Sequence, residues 1–142
     1  MRHYLLLANE TATSPPVRQW ALELVAQQPT RSHVHVVVPA TRVARGLTWT
    51  EGESRAHAAE RLNDAMAGLR RFGMTVDGEV GDENPILAAD DALRSRPYDA
   101  VVVSTLPHGS SRWLRGNVVE RLRRRHDVPV VHLMAEPVGV RA

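Results

Sequence analysis

The chain contains no cysteine and no lysine. The first absence excludes disulfides and thiolate metal ligands, and accords with a reducing, cytoplasmic home. The second excludes a P-loop lysine, a Schiff base and a lysine general base; all 18 Lys-plus-Arg positions are arginine. No apolar run approaches the ~18 residues that cross a bilayer. The start, Met1-Arg2-His3, leads straight into a short apolar stretch, without the length or small-residue cleavage site of a secretory signal. A cytoplasmic protein with no membrane contact is therefore expected. Charge of one sign is not in surplus either: the net charge is only +2, a weak argument for nucleic acid.

What is present is an alternation of short apolar runs with helical periodicity. The 142 residues, 43% of them apolar, suit a single domain spanning 1–135, followed by a loose tail at 136–142. The first strand is read at residues 4–8, YLLLA, followed by the polar loop 9–13. Ser14 stands as N-cap and Pro15 at the first helical position, where a missing N–H costs nothing. Val17, Trp20, Ala21, Leu24 and Val25 recur at helical spacing up to about Gln28. A second strand spans 32–38 and stops at Pro39. Residues 41–50 read as irregular. The longest periodic stretch, 51–72, places Ala58, Leu62, Ala65, Leu69 and Phe72 on one face, with Gly73 as its C-terminal cap. A weaker strand, 74–80, is interrupted at Asp77-Gly78. Asn84-Pro85 caps a third helix that ends before Pro97. The last strand is read at 128–133 around Pro129. The sum is an α/β fold with a parallel sheet and helices on both faces, a Rossmann-like three-layer sandwich.

The stretch 100–131 organises the rest. Ala100-Val101-Val102-Val103 is apolar without alternation, as in a strand buried on both faces. A small-residue and basic loop, 104–115, follows. Gly116-Asn117 then opens a helix, with Asn117 as N-cap and Glu120 at the capping-box position. Strand, loop and helix N-terminus together hold anions, because unpaired N–H groups and the helix dipole converge there. Gly109 admits close approach, and Arg112 and Arg115 add charge. A site for the phosphates of a small ligand is expected here, opposite the loop 9–13, where ligands enter open sheets.

These motifs together resemble the universal stress protein family over nearly the whole length. The segment 81–89, GDENPILAA, is similar to the family's G-x-P-x-x-x-I region. The segment 112–122, RWLRGNVVERL, is similar to its L-L-L-G-S-V-A-E-R-V, and 127–131, DVPVV, to its C-P-V-L-V strand. The resemblance implies a five-stranded sheet of order 3-2-1-4-5. It implies a homodimer, made through the last strand, Val128 to Leu133. It also implies a stress-related role and a nucleotide, ATP or AMP, as ligand. ATP-binding members carry G-x-x-G, nine residues, then G-S or G-T. Aligned on Gly116, the two earlier glycines fall on Val103 and Leu106 and are lost. Asn117 replaces the Ser or Thr, and Asn9 matches a first-strand Asp. The fold therefore carries over better than the nucleotide site.

The ligand-binding candidates are accordingly Asn9, Glu10, Thr11, Val38, Ser104, Thr105, His108, Gly109, Arg112, Gly116, Asn117 and Val118. The bland alternatives are a polar loop at 9–11, core packing at Val38 and a capped helix that binds nothing at 116–118. Catalysis is not expected. His108 lies near Ser104, Ser110 and Ser111, but there is no G-x-S-x-G elbow and no acidic partner. Glu10 is the only carboxylate placed to hold a metal for slow hydrolysis, so no metal is expected. His33 and His35 share a strand face without an apparent third ligand, and read as partly exposed histidines at a strand end. Arg121, Arg123, Arg124 and Arg125 read as a solvated helix end rather than a nucleic-acid surface, Trp113 being the only aromatic nearby. Two functions follow: binding of a small phosphorylated ligand, or a ligand-free dimeric interaction protein in which Leu106-Pro107 blocks the pocket.

Overall fold

The structure is a computed structural model that describes residues 1–27, 31–40, 51–107 and 112–135. The expectations for residues 41–50, for His108, Gly109, Ser110 and Ser111, and for the tail at 136–142 lie outside the described residues. The elements run β1 (Arg2–Leu7), α1 (Pro15–Gln27), β2 (Ser32–Pro39), α2 (Glu51–Arg70) and β3 (Thr75–Gly81). They continue with α3 (Pro85–Ser95), β4 (Ala100–Thr105), α4 (Arg112–Arg115), α5 (Val118–Arg125) and β5 (Val130–Met134). The five strands form one parallel sheet in the order β3-β2-β1-β4-β5. This is the expected fold class and order.

Because side chains alternate along a strand, each strand feeds two cores. Tyr4, Leu6, Val34, Val36 and Val102 pack with Val17, Ala21, Ala58, Leu62 and Leu69 from α1 and α2. Leu5, Leu7, Val37, Val101 and Val103 pack with Ile86, Ala89, Trp113, Val119 and Leu122 from α3, α4 and α5. The central strands are thus buried on both faces, which is why β4 reads as an unbroken apolar run. On α1 the expected face is only partly inward: Val17, Ala21 and Leu24 are buried, whereas Val25 is exposed.

Several caps follow the sequence and others depart from it. Asn84 caps α3 as expected, its Oδ1 accepting from the Ile86 N–H at 2.9 Å. Gly73 closes α2 at φ 83°, a left-handed conformation that glycine takes without strain. Ser14 caps α1 through its backbone carbonyl, which accepts from the Arg18 N–H, but its Oγ has no partner. Pro16 at the second helical position has no N–H to offer that hydroxyl. The expected break in β3 at Asp77-Gly78 does not occur. The strand runs through, with Gly78 opposite Val36. A Cβ on Gly78 would stand 2.6 Å from the Val36 carbonyl oxygen and 2.7 Å from Leu62 Cδ1. The glycine is there so that α2 can lie close on the sheet, not to interrupt it.

Candidate functional site

Strand order reverses between β1 and β4, so the carboxyl ends of these strands border the crevice where ligands enter folds of this architecture. Four of the candidate residues sit there and are buried: Asn9, Thr11, Ser104 and Thr105. They are already engaged. Asn9 Nδ2 donates to the Pro39 carbonyl at 2.7 Å, and Asn9 Oδ1 accepts from Arg61 Nη1 at 3.0 Å. The Thr11 and Ser104 hydroxyls lie 2.6 Å apart, with Ser104 Oγ also 3.3 Å from the Thr11 carbonyl. Thr105 Oγ1 pairs with His132 Nε2 at 2.8 Å. These bonds tie the first loop to β2, α2 and β4 and satisfy polar groups that burial would otherwise penalise. Glu10 is exposed, and Leu106 and Pro107 are half-buried. Val38 is fully buried in the core beneath α1 and α2, in agreement with its packing alternative.

The other side of the crevice differs from expectation. The expected loop at 104–115 ends in a single helical turn, α4. Asn117 does not form a capping box. Its backbone is left-handed, at φ 56° and ψ 37°, and its side chain caps nothing. A capping box needs an extended N-cap residue. Here Asn117 closes the preceding turn instead, its N–H donating to the Leu114 carbonyl at 3.2 Å, while its own carbonyl accepts from the Arg121 N–H that begins α5. Asparagine is among the few residues that take this conformation readily. Of the three expected amide donors at 116–118, that of Asn117 is therefore spent within the chain. Gly116 and Asn117 are exposed, and Val118 is buried in the second core. His108 and Gly109 lie outside the described residues, and α4 carries Arg112 on its backbone.

The two histidines of β2 are corrected in another sense. His33 is buried rather than partly exposed, and both histidines have carboxylate partners that the linear sequence hides. Register places His35 opposite Asp77 and His33 opposite Thr75. Asp77 Oδ1 is 2.7 Å from His33 Nε2 and 2.9 Å from His35 Nδ1, and His35 Nε2 is 3.1 Å from Glu79 Oε2. His33 Nδ1 faces His3 Nδ1 at 2.9 Å, so one of these two nitrogens donates and the other accepts. Burial pushes the Asp77 carboxyl up, but hydrogen bonds from His35 and His33 outweigh it and hold the group below its ordinary range. The cluster sits near the amino ends of the strands, away from the crevice. Among the described residues no group of three or more His, Asp or Glu side chains is arranged to hold a metal ion.

The arginine run on α5 is partly used internally. Arg125 Nε and Nη2 and His126 Nε2 converge on Asp90 of α3, the His126 bond being 2.8 Å. Arg123 pairs with Glu120 and donates to the Val130 carbonyl at 3.1 Å. Desolvation raises the Asp90 carboxyl, and the Arg125 and His126 hydrogen bonds more than reverse this, leaving it below its ordinary value. Sequence reading missed Arg61. It lies on the polar side of a long amphipathic helix, and only the packing of α2 against the first loop brings it to Asn9.

No protein-family model matches the chain, and no curated protein matches it in sequence. Solved structures do match in three dimensions. A universal stress protein from Archaeoglobus fulgidus superposes with a TM-score of 0.64 at 16% identity, over 93% of each chain. A universal stress protein family member from Burkholderia pseudomallei gives 0.60 at 22% identity, over 92% of this chain and 94% of its own. A universal stress protein family member from Arabidopsis thaliana, solved with AMP bound, gives 0.61 at 12% identity, over 99% of this chain and 97% of its own.

Proposed function

We propose, from the premise that the chain adopts the universal stress protein fold, that it binds a nucleotide, AMP or ATP, at the crevice between β1 and β4. Its role would be regulatory and stress-related rather than catalytic. The observation that carries this reading is the convergence of buried Asn9, Thr11 and Ser104 with the half-buried Arg61 guanidinium at the point where strand order reverses. A guanidinium beside neutral hydrogen-bonding groups suits a phosphate, which it meets with charge-assisted bonds. The likeness to an AMP-bound protein of the same fold agrees with it. For entry, the ligand exchanges the Thr11–Ser104 and Asn9–Arg61 bonds for its own.

The experiment is calorimetric titration of AMP into wild type and Arg61→Met, a change that keeps the aliphatic stem and removes the charge. Loss of one charge-assisted contact is expected to weaken AMP about tenfold or more, beyond the roughly 1–3 kcal/mol of stability lost because the buried Asn9 Oδ1 loses its donor. Equal affinity in the two proteins would reject Arg61 as a phosphate ligand. Absence of saturable binding at millimolar AMP would reject the reading as a whole.

One observation favours a second reading, a dimeric interaction protein without nucleotide. Among the described residues, the side chains of Asn9, Thr11 and Ser104 all have partners within the chain, so none of the three calls for a ligand. Both readings include a homodimer through the last strand. Among the described residues β5 pairs only with β4, and Val131 and Met134 on it are exposed. An unpaired strand edge with apolar neighbours is a template for another chain. Light scattering is expected to give twice the chain mass for wild type and the single mass for Val131→Arg. A monomeric wild type at high concentration would refute the dimer.

A further inference from the structure

We propose that the groove between α1 and α2 is a separate binding site for a small amphipathic carboxylate, a free medium-chain fatty acid anion of about eight carbons. The groove has a volume of about 300 Å³. Its floor is apolar: Val17, Ala65 and Leu69 are buried, and Phe72 packs against the core. Gly68, within the twenty-residue helix α2, is one of its lining residues. Nothing in the fold requires glycine there. A Cβ on Gly68 would meet no atom within 4 Å, and the backbone lacks the positive φ that Gly73 shows. Glycine inside a helix is unfavourable relative to alanine. The position thus leaves open space at a local cost to the helix, on a residue that lines the groove.

The rim supplies the second half of the recognition. Arg18 and Arg71 border the groove with Asp64, and neither arginine side chain makes a hydrogen bond or ion pair among the described residues. Two free cations against one carboxylate favour an anionic head, while the floor favours an aliphatic body. At roughly 30 Å³ per water-sized atom, the space holds about ten non-hydrogen atoms, the size of octanoate. The groove adjoins the crevice, with Asp64 one turn along α2 from Arg61 and Ala12 beside Thr11, but its recognition uses none of Asn9, Thr11, Arg61 or Ser104 and so does not depend on the nucleotide reading.

The test is titration of octanoate into wild type, Gly68→Leu and Arg71→Gln, with 1-octanol as the uncharged counterpart. Saturable one-site binding of octanoate to wild type is expected. Gly68→Leu fills the groove and is expected to weaken binding at least tenfold, while its melting temperature holds or rises, because leucine is the better helix former. Arg71→Gln is expected to weaken octanoate about threefold to tenfold without affecting 1-octanol. The proposal is overturned by a wild type that shows no saturable binding, by Gly68→Leu binding as wild type does, or by 1-octanol binding as tightly as octanoate. A concentration-dependent dimer abolished by Gly68→Leu would assign the groove to a second copy and overturn it equally.

Discussion

Gly78→Ala is expected to destabilise the protein by about 3 kcal/mol, the largest effect of any single methyl group considered for this fold. The added Cβ would lie 2.6 Å from the backbone oxygen of Val36, its partner residue on β2, and 2.7 Å from Leu62 Cδ1 on α2. A side-chain end can swing aside at low cost, but a carbonyl fixed in the sheet cannot. β3 must shift away from β2 to clear that carbonyl, and Leu62 of α2 must yield as well. Urea unfolding should show a lower midpoint at unchanged slope. Gly68→Ala is the internal control. It adds the same methyl where nothing lies within 4 Å and is expected to stabilise by up to about 1 kcal/mol. If Gly78→Ala lies within about 0.5 kcal/mol of wild type, the close packing of α2 over β3 is wrong.

Asp90→Ala is expected to cost about 1–3 kcal/mol. Asp90 is buried on α3 and takes hydrogen bonds from Arg125 and His126 at the end of α5, so it fastens one helix to the other. Removal leaves the Arg125 head free to turn to solvent, which limits the loss, but His126 loses its partner. The wild-type contribution depends on pH, with a definite sign. The folded carboxyl titrates below its ordinary value, so the unfolded chain takes up its proton first as the solution is acidified. Stability from this contact is complete above about pH 5 and is lost as the pH falls through the folded value. Asp77, lowered in the same direction by His35 and His33, adds to the same acid limb. The stability curve of Asp90→Ala should therefore be flatter than that of wild type below about pH 5. Parallel curves down to pH 3 would contradict the assignment of the clasp to Asp90.

The sheet was legible because its signals are local and repeated. β4 opens with four apolar residues in a row, Asn84-Pro85 announces α3, and Gly73 closes α2. What escaped depended on pairing across the sheet. Nothing near His33 in the chain points to Asp77, which reaches it from a strand 44 positions away. Arg61 looks like one more charge on a solvated helix until α2 is laid beside the first loop. Asn117 was misread for a different reason. Local pattern alone cannot tell an N-cap from a residue that closes one turn and opens the next, and the short helix α4, unexpected within the loop, decided between them. Gly78 looked like an interruption because glycine weakens an isolated strand. In the folded chain that same lack of a side chain permits the contact with α2.

Amide NMR of the labelled protein during an AMP titration probes the crevice between β1 and β4 directly. Saturable shifts confined to Asn9, Thr11, Ser104 and the segment 116–118 are expected, with Arg61 side-chain signals moving along the same curve. Shifts gathered elsewhere, or none at millimolar AMP, would contradict nucleotide binding at the crevice.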